Sequence, residues 1–162
     1  MKLSTKGRYG LKAILDLAVN QGNGAIAISS ISERTGITVN YLEQLISKLK
    51  KANLVKSIRG AQGGYMLARD MTEISVGDIL RALEGDLAPV ECISNQESSC
   101  ESANLCVTKL VWQRINDGIN NAVDTLMLSE LVEQSKKLNP YKLNLDKNYF
   151  SFHVEFQKKD RR

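Results

Sequence analysis

The 162-residue chain holds one histidine, His153, and it lies in the tail. No Ser/His/Asp set and no carboxylate pair stands in a motif that would support nucleophilic or acid–base chemistry, so an enzyme is not expected. Long apolar runs are missing as well. None approaches the ~18 residues of a membrane-spanning helix, and no membrane partner is expected. Behind the charges of Met1-Lys2-Leu3-Ser4-Thr5-Lys6 there is no apolar stretch of the signal-peptide kind, which points to the cytoplasm. Cysteine is absent outside residues 92–106, where Cys92, Cys100 and Cys106 stand. An odd count in a reducing compartment argues against a disulfide framework. No internal repeat is visible. The Gly60/Gly63/Gly64 cluster is not a nucleotide loop, because no Lys-Ser/Thr follows it before a helix.

What is present is divided. The net charge is +4, but residues 1–70 carry eleven Lys/Arg against four Asp/Glu, and residues 71–162 carry eleven against fourteen. A basic half joined to an acidic half suggests that the first meets a polyanion. An unevenly charged, merely solvated surface is the alternative.

Hydrophobic spacing then orders the elements. Leu11, Ile14, Leu15 and Ala18 recur at helical steps after Thr5, which is placed to cap a first helix, and Gly22-Asn23-Gly24 ends it. A short helix follows, with Ser30 and Glu33 spaced as a capping box. Gly36 breaks it, Ile37 follows, and a third helix is predicted from about Thr38 to Ala52, with Leu42, Leu45, Ile46 and Leu49 on one side. Leu54–Ile58 and Tyr65–Ala68 read as two short strands around a glycine-rich tip at Arg59–Gly64. Ser75–Leu83 reads as a fourth helix. Val107, Val111, Ile115, Ile119, Ala122 and Leu126 then mark a long amphipathic helix of roughly 20 residues and about 30 Å. Phe150, Phe152, Val154 and Phe156 alternate with polar residues, as in an edge strand or a clamp on a partner subunit; a frayed terminus is the alternative.

Helix, short helix, glycine turn, helix and hairpin is the order of a winged helix-turn-helix. The expected class is therefore mainly α with a small β-hairpin wing: a winged domain at 1–84, a cysteine-containing loop at 85–103, a dimerisation helix region at 104–135 and a C-terminal tail at 136–162. The apolar stripe of the long helix is too large for so small a chain to cover, which predicts a two-fold homodimer. On the third helix, Asn40, Gln44 and Ser47 are left to face base edges, where Gln and Asn can bond adenine bidentately. Lys48, Lys50 and Lys51 are placed for flanking phosphates. Arg59, beside Gly60 at the hairpin tip, suits a narrow minor groove. Ser4, Thr5 and Lys6 open a helix whose free N–H groups suit a backbone phosphate. Thr38, at the start of the recognition helix, completes the candidate contacts to double-stranded DNA.

"MKLSTKGRYG", "ISSISERTGITVNYLEQLISKLKKANLVKSIRGAQGGYMLARD" and the three-cysteine loop resemble the family of dimeric winged-helix repressors that holds the iron–sulfur regulator IscR, the nitric-oxide sensor NsrR and the cysteine-metabolism regulator CymR. The resemblance covers about residues 1–135. It implies that Gln44 reads a base, that Glu43 tunes which sites are accepted, and that Arg59 is the minor-groove arginine. It also implies that Cys92, Cys100 and Cys106 are ligands of a 2Fe–2S cluster, and that residues of about 104–127 form the dimerisation helix. Thiolates are the usual ligands of such clusters. In this polar stretch, seven acids from Glu73 to Glu101 face one base, Arg81, so a cluster rather than a core would organise the loop. Free thiols and a zinc site are the alternatives, although zinc prefers closer cysteine pairs.

The chain departs from the family's pattern at the fourth ligand. Lys109 stands where enteric IscR proteins have histidine, and Arg8 stands where NsrR proteins have an aspartate. Glu91, Glu97, Glu101, Glu43, His153 or a small external molecule remain as candidates. The resulting expectation is a cytoplasmic transcription regulator, mainly a repressor, that binds a partly palindromic operator, is controlled by its cluster and governs iron–sulfur cluster assembly genes. A cysteine-metabolism or nitric-oxide-responsive regulator is the nearest alternative. A protein-interaction adaptor with a zinc-stiffened loop is an alternative of another class.

Overall fold

Ser4, not Thr5, starts the first helix. In the computed structural model, which describes residues 4–22, 24–94 and 106–138, Ser4 has extended backbone and its hydroxyl accepts from the Lys6 N–H at 3.0 Å. Thr5 is the first residue inside α1 (Thr5–Asn20). The elements that follow are α2 (Ile28–Thr35), α3 (Val39–Lys51), β1 (Val55–Ile58), β2 (Gly64–Leu67), α4 (Val76–Glu84), α5 (Lys109–Asp124) and α6 (Leu128–Leu138), with 3-10 turns at Met71–Glu73 and Glu91–Ile93. Cys100, Glu97, Glu101, His153 and the phenylalanine-rich tail lie outside the described residues.

The predicted capping box at Ser30 and Glu33 is not formed. Helix α2 begins two residues earlier, behind Ala27, with no side-chain cap. A capping box does form on α4. There the Ser75 hydroxyl accepts from the Asp78 N–H at 3.0 Å, and the Ser75 N–H donates to the Asp78 carboxylate at 3.2 Å. Two partners three residues apart satisfy two helix-end N–H groups at once, whereas at Ser30 the chain is already helical.

Helical spacing puts one apolar stripe of each helix into a shared core. Ile14 and Leu17 of α1, Ile31 of α2, Leu42, Leu45 and Leu49 of α3, and Ile79 and Leu83 of α4 are all buried in it. Leu54 and Leu67, at the base of the hairpin, close it below. The hairpin pairs Val55 with Leu67 through to Ile58 with Gly64, antiparallel. Ile26 extends it by one bridge, exchanging two 2.9 Å backbone hydrogen bonds with Tyr65. Gly64 has no alternative there, since a Cβ would fall 2.3 Å from the Ile26 carbonyl oxygen.

The long helix is shorter than its pattern suggests and is followed by an unforeseen one. Helix α5 runs unbroken through Gly118 and stops at Asp124. The Thr125 hydroxyl then donates back to the Asn121 carbonyl at 2.7 Å. Leu126 accepts from the Val76 N–H, and Leu128 donates to the Ile74 carbonyl, both at 2.9 Å. This pairing with the start of α4 turns the chain, so Leu128 and Val132 of α6 enter the core beside α1. A second cluster of Val76, Leu80 and Leu87 lies under Ile119, Val123, Leu126 and Leu131. Arg81 of α4 ties the helices together through Asp124 and, at 3.2 Å, through Asn120.

Among the described residues, one charge sits inside. Asp16 of α1 is fully buried and takes the Arg34 guanidinium at 2.8–3.2 Å through three contacts. Burial pushes the Asp16 carboxyl above its ordinary value, and the Arg34 hydrogen bonds and charge, with Lys12, only partly offset this. Nearby, the Lys12 ammonium donates to the Thr35 carbonyl, binding the end of α2 to α1. Removing one partner of such a pair costs about 3–5 kcal/mol, and Arg34→Ala is expected to fall in this range at neutral pH. A raised carboxyl pKa favours the fold in its protonated form, and that contribution is lost as pH rises through the folded value. The penalty of Arg34→Ala is therefore expected to shrink in mildly acid solution, which urea unfolding at the two pH values measures.

Candidate nucleic-acid interface and cysteine site

Gly36 makes the turn between α2 and α3. It adopts φ 71°, and its N–H donates to the Ser32 carbonyl at 2.8 Å. The left-handed conformation costs a side-chain-bearing residue about 1–2 kcal/mol. The Ser32 hydroxyl crosses the turn to the Ile37 carbonyl at 2.6 Å, and Ile37 is buried. Helix α3 therefore leaves the turn at a set angle. Thr38 caps it with backbone alone and stays exposed.

The two faces of α3 separate cleanly. Leu42, Leu45, Ile46 and Leu49 are no more than 3% exposed. Asn40, Glu43, Gln44, Ser47, Lys48 and Lys51 are all exposed. They recur at steps of three and four residues, the spacing of one helix face. Lys48 has an internal partner as well, since its ammonium donates to the Leu83 carbonyl at 2.9 Å. Lys50 donates to the Ser57 hydroxyl at 3.0 Å and braces α3 against β1. Arg59 and Gly60 are exposed at the hairpin tip, where Gly60 has φ 121° and its carbonyl accepts from the Gly63 N–H. Tyr9 of α1 meets Tyr41 of α3 edge to face, with ring centres 6.1 Å apart.

The start of α1 has an acceptor that the sequence did not suggest. Oε1 of Glu84, at the end of α4, accepts from the Ser4 hydroxyl at 2.6 Å, the Gly7 N–H at 2.7 Å and the Ser4 N–H at 3.1 Å. Burial alone would raise the Glu84 carboxyl; the bonds from Ser4 and Gly7 and the charge of Lys6 hold it below its ordinary value. The start of α1, expected to offer free N–H groups to a backbone phosphate, thus has its Ser4 and Gly7 amides engaged by Glu84 and its Lys6 amide by the Ser4 hydroxyl, while Ser4, Thr5 and Lys6 remain exposed. In the sequence, Glu84 is marked only as an acid before Gly85 at a helix end, a pattern shared by many solvated residues.

Of the three cysteines, two are described, and both adjoin α5. Cys92 lies in the Glu91–Ile93 turn, which packs against α5. Cys106 precedes α5 by three residues. Both are half-buried. The Cys106 sulfur is 3.1 Å from the Thr108 hydroxyl. That contact first, then the Lys109 backbone N–H, holds the Cys106 thiol below its ordinary value against the opposing effect of burial, with a smaller share from the Lys109 charge. Depressed thiols supply the thiolate that ligates metals, so this residue suits the donor set of a cluster. Glu91 is exposed beside Cys92, Lys109 is half-buried, and Arg8 and Glu43 are exposed on α1 and α3. A protonated lysine or arginine offers no lone pair to a metal. No trio of His, Cys, Asp and Glu close enough for a metal occurs among the described residues.

Comparison with known proteins agrees with this geometry. Residues 3–134 match the Rrf2 family, "Iron-dependent Transcriptional regulator". The HTH-type transcriptional regulator IscR of Pectobacterium atrosepticum is 38% identical over 139 residues, covering 86% of this chain and 84% of that protein. The same-named regulator of Escherichia coli is 37% identical over 139 residues, covering 86% and 85%. Among solved structures, T. potens IscR superposes with a TM-score of 0.69 at 43% identity, covering 85% of this chain and 90% of the other. CymR, the global cysteine regulator of B. subtilis, does so with a TM-score of 0.68 at 41% identity, covering 83% and 98%. These relatives are regulators rather than enzymes. With a family match across most of its length and the winged architecture in place, the chain belongs to the Rrf2 family of transcriptional regulators.

Proposed function

We propose that this regulator is a cytoplasmic homodimer that binds a partly palindromic operator in double-stranded DNA, mainly as a repressor, under the control of a 2Fe–2S cluster held by Cys92, Cys100 and Cys106. By this reading its operators belong to iron–sulfur cluster assembly genes. The observation that carries the DNA reading is α3: a wholly buried apolar stripe backs an exposed row of Asn40, Glu43, Gln44, Ser47 and Lys51. A helix so presented fits the major groove, where side-chain amides and carboxylates read base edges and lysines meet phosphates. Arg59 at the hairpin tip reaches the neighbouring minor groove.

Half of the α5 stripe supports the dimer. Ile119 and Val123 are used within the chain, in the cluster over α4. Earlier in the stripe, Val107 is 86% exposed, Leu110 58%, Val111 52% and Ile115 41%. An apolar row of this length is normally covered by a partner, and a second copy of the same helix matches it face to face. The half-sites then lie about one helical turn, or a multiple of it, apart.

For the cluster, the support is the chemistry of the donors. Cys106 carries a depressed thiol at the start of α5, and Cys92 sits in a turn against the same helix. Bound there, a cluster would supply a redox-active iron centre. The fourth ligand is neither Lys109 nor Arg8; among the candidate carboxylates Glu91 and Glu43 are described, and a small external molecule is the alternative. The likeness to CymR favours a second reading, a regulator of cysteine metabolism without a cluster. Anaerobically purified protein separates the two: a coloured protein containing iron and sulfide supports the first, a colourless one the second.

Three outcomes are expected. Gln44→Ala costs about 1–3 kcal/mol at one base position, whereas Lys51→Ala weakens all sequences alike and flattens the salt dependence; duplex titrations on matched and altered sites measure both. Ile115→Asp places a charge in the uncovered stripe and shifts the dimer toward monomer in sedimentation at micromolar concentration. Cys92→Ala, Cys100→Ala and Cys106→Ala each abolish iron loading and visible absorbance, yet leave a folded dimer that still binds some DNA. Affinities equal to wild type on every class of site, in all three cysteine variants, would remove the cysteines from the control mechanism.

A further inference from the structure

The last turn of α4 grips two of the elements that carry candidate DNA contacts, the start of α1 and the recognition helix α3. One carboxylate oxygen of Glu84 collects the Ser4 hydroxyl and the Ser4 and Gly7 N–H groups of α1. One residue earlier, the Leu83 carbonyl collects the Lys48 ammonium from the outward side of α3. The Leu83 side chain is itself fully buried and seats against Gly10, where a Cβ would lie 2.2 Å from Leu83 Cδ1. A Cβ at Gly7 would lie 2.6 Å from Glu84 Oε1. Two glycines three residues apart on α1 therefore form the notch that admits the end of α4.

We propose that Glu84, together with the Leu83 carbonyl, is a positioning residue for DNA binding: it fixes the start of α1 relative to the recognition helix without contacting DNA. The inference rests on the DNA-binding reading above. A carboxylate at a helix N-terminus satisfies free N–H groups and complements the helix dipole, and charge-assisted bonds are the stronger kind. Contacts from α1 and α3 meet one half-site together only if their separation is already set. Where it is loose, ordering it is charged against binding. The chain leaves this turn through Gly85, at φ 90°, into a segment pinned by Asp86 to the Ala88 N–H at 2.9 Å and the Ser94 hydroxyl at 2.5 Å. That segment carries Cys92.

The test uses the full chain, a duplex selected by wild-type protein from a random pool, and an unselected duplex. Glu84→Ala is expected to raise amide exchange at Gly7 about tenfold. It should also weaken the selected duplex about tenfold at an unchanged active fraction, with less effect on the unselected one. Glu84→Gln keeps an acceptor oxygen in place and is expected to restore both readings to within about threefold of wild type. A purely structural role would lower the active fraction instead, with no rescue by glutamine. Glu84→Ala binding the selected duplex as wild type does, or losing affinity equally with Glu84→Gln, overturns the inference and leaves the DNA-binding reading standing. Wild-type protein that retains no duplex overturns both.

Discussion

The burial of one stripe of α3 governs most of what this molecule presents to its surroundings. Leu42, Leu45, Ile46 and Leu49 leave almost no surface to water, and each fully buried side chain of this kind contributes roughly 1.5–3 kcal/mol. With that face committed, the opposite face can only be the polar one. The exposed polar row of α3 is thus set by packing beneath it. Gly36, Ile37 and the Ser32 hydroxyl then determine the angle at which α3 leaves the turn.

Around this stripe, α1 acts as the common support. It packs against α2, α3, α4, α6 and β2, and its polar ties fall at its N-terminus and from its middle toward its C-terminus. Near the middle and C-terminal part, Asp16 binds Arg34 and Lys12 binds Thr35, which fastens α2 and its turn. At the N-terminus, Glu84 fastens α4. Buried or half-buried charges are costly unless fully bonded, and such bonds are met by one arrangement of the helices, whereas apolar contacts tolerate small slips. The same chain therefore gains its stability from leucine and isoleucine and its register from a few carboxylates.

The second half of the chain uses one helix for two purposes. Helix α5 gives its C-terminal stripe to α4 and leaves its N-terminal stripe open, next to both described cysteines. Whatever occupies the cysteine segment is therefore adjacent to the surface proposed for dimer contact, and joined through Gly85 to the end of α4. Short covalent and packing distances, rather than a long pathway, link the three.

Much of this could be read directly from residue order. Periodic leucines and isoleucines place α1, α3, α4 and the start of α5 because a helix face is a local property of the chain. Gly36 and Gly60 mark turns because positive φ is a local demand too. The exposed row from Asn40 to Lys51 follows from the same spacing. Other features depended on residues far apart in sequence. Helix α6 separates from α5 because Leu126 and Leu128 pair with Val76 and Ile74, some fifty residues away; no glycine or proline marks that break. The true capping box lies at Ser75 rather than Ser30, because the fold sets where each helix begins. Asp16 and Glu84 read as ordinary surface acids until tertiary packing brings Arg34 to one, and Ser4 and Gly7 to the other. Local spacing thus decided which residues face in or out, and only the folded chain decided which polar groups meet, because a hydrogen bond depends on distance in space and not on distance along the chain.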